Sequence, residues 1–162
     1  MKIFNSASIP KKFKGSSLAI GNFDGAHQGH QKVFRQAKKY AKRNKSKFGI
    51  LTFSPLPIMF FNKKIKNYRL VSEKEKFQVL KRYGVNFLVN IKFNKAFSKI
   101  SAENFIKKII FKKINPKLIF VSNNFRFGNK REGNVRQLIK NENTCNYKII
   151  KPKPLLIKKN LI

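Results

Sequence analysis

The chain has little of several things that would classify it quickly. It holds one cysteine, Cys145, in 162 residues, which excludes an internal disulfide framework and fits a reducing compartment. It has no tryptophan and two histidines. No apolar run approaches the roughly 20 residues needed to span a bilayer, and the opening MKIFNSASIPKKFKG lacks the apolar stretch of a secretion signal. A soluble, cytoplasmic protein with no membrane partner is expected. Scarcest of all is negative charge: 6 Asp plus Glu stand against 38 Lys plus Arg, a formal net charge of +32.

Such an excess points first to nucleic acid, because polyanions bind by releasing counterions to Lys and Arg. Its distribution argues otherwise. Lysine pairs occur throughout (Lys11 and Lys12, Lys38 and Lys39, Lys63 and Lys64, Lys107 and Lys108, Lys112 and Lys113, Lys158 and Lys159) and form no single stripe or tail. Lys, Asn, Ile and Phe, all encoded by A- and T-rich codons, are over-used together, so the charge reads mainly as coding bias. A field of this sign still attracts anionic ligands, nucleotides included. No specific nucleic-acid partner is expected, and a basic nucleic-acid-binding protein stands as the alternative of another class. At this length one domain can bury roughly 70% of the surface of its unfolded chain, so a core forms without staples.

Periodicity predicts alternating strands and helices. Strands are expected at 17–21, 48–53, 87–91, 118–121 and 147–150. Helices are expected at about 31–43, from Ser72 with Glu75 as a capping box, from Ser101 to a break at Pro116, and at 135–140. Gly84 suits a helix C-terminus. Residues 54–71 and 122–134 read as long loops. This order implies an α/β fold, a mostly parallel sheet with helices on both faces. Ligands of such sheets bind beyond the carboxyl ends of the strands.

The most informative stretch is Gly21-Asn22-Phe23-Asp24-Gly25-Ala26-His27-Gln28-Gly29-His30, which contains both histidines and the only aspartate. It leaves the first predicted strand and enters a helix. Gly21, Gly25 and Gly29 let backbone approach a ligand closely, and a helix start offers free N–H groups to a phosphate. His27 and His30, three residues apart at the first turn, can both face one phosphate. The competing readings are a solvated or structural pair and a metal site. Zinc needs a third ligand, for which only Cys145 and scattered carboxylates remain, so phosphate contact is favoured and no protein-ligated metal is expected.

The stretch resembles G-x-F-D-G-x-H-x-G-H, the nucleotide-binding signature of the prokaryotic FAD synthetases, the N-terminal half of bifunctional riboflavin kinase/FMN adenylyltransferases. Further segments resemble that family in register from about Ser17 to Leu138. Leu51-Thr52-Phe53-Ser54-Pro55-Leu56-Pro57 is similar to its L-T-F-E-P-H-P, and Arg69-Leu70 with Glu73-Lys74 to its R-L and E-K region. Gly84-Val85 resembles its G-V-D. Phe93-Asn94, Phe97, Ile100 through Glu103 and Phe105-Ile106 resemble its F-N to F-I block. Val121 through Gly128, with Arg131 and Gly133, resemble its F-R-F-G loop. Three positions depart from the pattern: Ser54 and Leu56 replace Glu and His, and Ser122 replaces Gly. The family's later I-S-S-T-x-I-R motif would begin about where the given sequence stops. The expectation is therefore a Rossmann-like nucleotidyltransferase domain over 1–162, incomplete at its C-terminus, poorly active alone, and without the riboflavin kinase domain.

The resemblance implies transfer of AMP from ATP to FMN, yielding FAD and pyrophosphate, with Mg²⁺ accompanying ATP. His27 and His30 are then the catalytic pair. Gly21, Asn22, Phe23, Asp24, Gly25 and Gly29 would accommodate the nucleotide, the flavin would lie against Phe53, Pro55, Pro57 and Phe127, and Asn124 and Arg126 would approach nucleotide or flavin phosphate. Core packing is the other reading for Phe53. An inactive or binding-only remnant of the same domain is the alternative activity. Oligomeric state is not legible.

Overall fold

The computed structural model describes residues 1–65 and 71–153. Arg69 and Leu70, and the apolar tail residues Leu155, Leu156, Ile157, Leu161 and Ile162, lie outside the described residues. In chain order the elements are β1 (Lys2–Phe4), β2 (Ser17–Ile20), α1 (Gln28–Arg43), β3 (Phe48–Ser54), α2 (Pro57–Phe61), α3 (Glu73–Arg82), β4 (Phe87–Lys92) and α4 (Lys95–Ser98). They continue with α5 (Ala102–Asn104), which runs on as a π-helix over Phe105–Ile114, then β5 (Leu118–Phe120), β6 (Arg126–Phe127), β7 (Gly133–Asn134), α6 (Val135–Lys140), α7 (Glu142–Cys145) and β8 (Lys148–Ile150).

Six strands form one sheet in the order β1-β4-β3-β2-β5-β8, and each neighbouring pair is parallel. Parallel strands covered on both faces should be apolar throughout, and β2 is buried at all four positions. Side chains alternate between two cores. Leu18, Ile20, Leu51, Phe53, Phe87 and Val89 pack on one face with Phe105, Ile106, Ile110 and Leu138. Ala19, Phe48, Ile50, Leu88 and Phe120 pack on the other with Phe34, Ala37 and Ala41 of α1 and Leu80 of α3. Gly49 of β3 makes room for a neighbour: a Cβ there would stand 2.1 Å from the Phe87 ring.

The predicted caps form. The Ser72 Oγ accepts from the Glu75 N–H at 3.2 Å while Glu75 Oε2 accepts from the Ser72 N–H at 2.8 Å, and Gly84 takes φ +79° after α3. Pro116 follows a left-handed Asn115 that closes the π-helix.

Several features differ from the expectation, among them the short helices α4 and α7, which periodicity did not announce. A sixth strand, β1, pairs with β4 at the sheet edge; three residues carry too little alternation to announce a strand. Helix α1 begins at Gln28, not near 31, which brings Gly29 and His30 into its first turn. The 54–71 segment contains α2, with Pro57 at its first position, where a missing N–H costs nothing. The 122–134 segment contains the antiparallel pair β6 and β7. That hairpin is tied to the start of α5: the Ala102 N–H donates to Glu132 Oε1 at 2.8 Å and the Asn129 N–H to the Ile100 carbonyl at 2.7 Å.

Candidate functional site

Strand order reverses at β2, which has β3 on one side and the later β5 on the other. Crevices in open parallel sheets form at such a point, and here a cleft of about 990 Å³ opens at the carboxyl ends of β2 and β5. One wall is Ile20 through Asp24 with His27, Gly29 and His30; the other is Phe120 through Asn124, with Leu56 and Lys153 also on the lining. The volume suits a nucleotide-sized ligand. A smaller groove of about 350 Å³ adjoins it along α1, bordered by Lys32, Lys39, Arg43, Lys151 and Lys153.

The turn between β2 and α1 is wound tightly, with Phe23, Gly25 and Ala26 at φ 49°, 78° and 40°. Left-handed backbone at two non-glycine residues is uncommon and persists only where the surroundings hold it. Phe23 supplies that hold. Its ring is buried against Phe34, centroids 5.0 Å apart, and meets His30 edge-on at 5.2 Å. Gly21 lets the chain fold back over this ring, since a Cβ there would stand 3.2 Å from it. Asp24 Oδ1 accepts from the Val71 N–H at 3.4 Å, tying the turn to the approach of α3.

His27 is the N-cap of α1, and its side chain makes no capping hydrogen bond. Its imidazole instead stacks on that of His30, centroids 3.5 Å apart and planes 26° from parallel. Gly29 makes this possible, because a Cβ at 29 would sit 3.0 Å from His27 Cε1. Burial, then the neighbouring His27 and Lys76, push the His30 imidazole down from an ordinary value of 6.5 to about 4, against a smaller opposite pull from Asp24. His30 is therefore neutral at physiological pH, with one N–H donor and one acceptor nitrogen. Its Nδ1 is buried without a hydrogen-bond partner among the described residues. The unpaired N–H groups of the first turn of α1 and two imidazoles thus converge at one end of the cleft, an arrangement suited to phosphate.

The other predicted residues separate into two groups. Gly21, Asn22, Phe23, Asp24, Gly29 and Asn124 line the cleft, and the Ser122 hydroxyl donates to Asn124 Oδ1 at 2.8 Å. Gly25 lies within the turn. Phe53 and Phe127 lie in the hydrophobic core: Phe53 packs on Phe93 and Phe97, and Phe127 on Phe105 and Phe125. Pro55 and Pro57 flank Leu56, which is the one of the three on the cleft lining. Arg126 is exposed on β6. Leu56 on the lining and Thr52 beneath the turn belong to the segment that resembles the family's L-T-F-E-P-H-P, with no site role expected of either, and the sequence did not single out Val33 and Lys153 on the lining or Lys76 beneath the turn. No local pattern marks these, because they reach the site from distant elements.

Residues 9–162 match the FAD synthetase family. The chain belongs to that family. Among its relatives is a bifunctional riboflavin kinase/FMN adenylyltransferase of Buchnera aphidicola subsp. Schizaphis graminum, 37% identical over 162 residues, covering 99% of this chain and 52% of the relative. The chain spans about half the length of the curated relatives it matches. Among solved structures, a Streptococcus pneumoniae protein described as a macrolide-efflux protein superposes with a TM-score of 0.78 at 25% identity, covering 98% of this chain and 52% of the other. Pantoate-beta-alanine ligase from Francisella tularensis superposes with a TM-score of 0.57 at 16% identity, covering 98% and 69%, and shares the Rossmann-like fold. Among the described residues no helix is long and apolar enough to cross a membrane. Nor, among them, does any group of three or more His, Cys, Asp or Glu residues come together to hold a metal ion.

Proposed function

We propose that this FAD synthetase domain transfers the AMP moiety of ATP to FMN, releasing pyrophosphate and forming FAD. The observation that carries the reading is the stacked His27 and His30 pair at the start of α1, set on the wall of the cleft at the reversal of strand order. A phosphate oxygen of FMN attacks the α-phosphorus of ATP, the bond from that phosphorus to the bridging oxygen breaks, and pyrophosphate leaves. The nucleophile arrives ionised on the substrate, so no side chain need deprotonate it. The protein aligns the two phosphates and stabilises the charge developing between them.

His27, His30 and the first-turn N–H groups of α1 are the donors for that charge. The orphaned Nδ1 of His30 supports this role, since a buried polar atom without a partner is costly unless a ligand engages it. Gly21 through Gly25 take the nucleotide against backbone, and Asn124 faces them from the other wall. Phe53, Pro55, Pro57, Phe127 and Arg126 form the flavin side in this reading, with Phe53 and Phe127 acting through packing. Mg²⁺ suits the donor set only if phosphates and water supply most of its ligands, because among the described residues Asp24 is the one carboxylate on the lining. Bound there, the ion would neutralise phosphate charge. A cytoplasmic location fits the free, buried Cys145.

The test is incubation of the protein with ATP, FMN and Mg²⁺, with FAD and pyrophosphate quantified by chromatography. FAD formed in step with pyrophosphate is the expected result. ATP and FMN bound without turnover would instead mark a binding-only domain, and turnover with another mononucleotide acceptor but not FMN would overturn the acceptor assignment.

A further inference from the structure

Thr52 lies on β3 directly beneath the nucleotide turn and is completely buried. Its hydroxyl is engaged on two sides: Lys76 Nζ stands 2.9 Å from Oγ1, and the Asn22 carbonyl oxygen 3.4 Å from it. An ammonium can only donate. The Thr52 oxygen is therefore the acceptor from Lys76, and its single proton is left for the Asn22 carbonyl. The direction of this relay, from α3 through β3 to the turn, is set by the chemistry of Lys76 alone. A lysine ordinarily keeps its ammonium in water, whereas Lys76 is half-buried and aimed inward.

We propose that Lys76 is a positioning residue which, through Thr52, sets the orientation of the Asn22–Phe23 peptide in the nucleotide-binding turn. With the Asn22 carbonyl drawn toward β3, the N–H of Phe23 points the opposite way, because the peptide is planar and trans. The bond from Val71 N–H to Asp24 Oδ1 ties the same turn to the approach of α3 at a second point. Lys76 also belongs to the electrostatic surroundings of His30. His27 and Lys76 oppose its protonation, Asp24 favours it, and the rings of Phe23 and Phe34 pack beside it.

The inference rests on the proposed function for its kinetic readout, and a second readout is independent of turnover. Lys76→Met and Thr52→Val are each expected to lower kcat for FMN adenylylation by roughly 10-fold to 10²-fold, with KM for FMN little changed. Combined, they should cost no more than either alone. Lys76→Arg, which keeps the charge and the donor, should recover most of the loss. In NMR spectra the Phe23 amide should shift in Lys76→Met and Thr52→Val and stay near its wild-type position in Lys76→Arg. Thermal melting confirms that each variant folds. An unmoved Phe23 amide in Lys76→Met overturns the inference whether or not the protein makes FAD, as does a Lys76→Arg loss equal to that of Lys76→Met. Wild-type protein that forms no FAD while its Phe23 amide responds as expected overturns the proposed function and leaves the positioning role supported.

Discussion

The imidazoles of His27 and His30 stack face to face with centroids 3.5 Å apart. Two such rings cannot both be positively charged without repulsion across that gap, and burial favours the neutral form of His30. The two rings have unequal surroundings, His27 exposed at the helix N-cap and His30 set deeper against Phe23.

His27→Ala and His30→Ala should each lower FAD formation on the order of 10²-fold or more, as loss of a preorganised donor to developing charge does elsewhere. Circular dichroism should show the fold retained. Wild-type rates in both variants would remove the pair from the chemistry.

Gly29→Ala separates activity from stability. Alanine is the better helix former by about 1 kcal/mol at an interior position, yet its Cβ would meet His27 Cε1 at 3.0 Å. Melting temperature should hold or rise while turnover falls, because the His27 ring must leave its stack. Turnover equal to wild type would mean that the stacked geometry is not the working one.

His30 makes stability depend on pH with a definite sign. The unfolded chain takes up a proton as pH falls through 6.5, whereas the folded protein resists until about 4. The unfolded state therefore binds more protons inside that window, and stability falls as pH drops from 6.5 toward 4. Glu75 and Glu103, held below their ordinary 4.5 chiefly by hydrogen bonds from Ser72 and Lys107 respectively, act lower in pH. Melting between pH 5 and 6.5 should show a slope in wild type that flattens in His30→Gln.

Gly49→Ala tests packing alone. A methyl group 2.1 Å from the Phe87 ring cannot be accommodated without moving Phe87 or splitting β3 from β4, so urea denaturation should show a loss of at least about 1–3 kcal/mol.

Binding to RNA or DNA, where detectable, should be weak, independent of sequence and steeply weakened by salt. Submicromolar, sequence-selective binding at physiological ionic strength would show that the charge of this chain is a recognition surface.

Composition and periodicity were enough to establish the α/β order of elements. Segments such as SLAIG and FGILTF are too apolar for anything but central strands, and Ser72 with Glu75 defines a helix start locally, by reciprocal hydrogen bonds three residues apart. The glycine and histidine spacing of 21–30 likewise marked the strand-to-helix turn that lines the cleft, since those groups lie within ten consecutive residues. Tertiary structure decided what depends on distant partners. β1 is a strand only because β4 offers it an edge, and α1 starts early enough to place Gly29 beneath the His27 ring. Phe53 and Phe127 face the core because of which side of each strand the sheet covers, a parity that cannot be read from aromatic residues alone. Thr52 and Lys76 meet under Asn22 across 24 residues of chain; only the packing of α3 beside β3 brings an ammonium to that hydroxyl, so no pattern within either segment could have announced the pair.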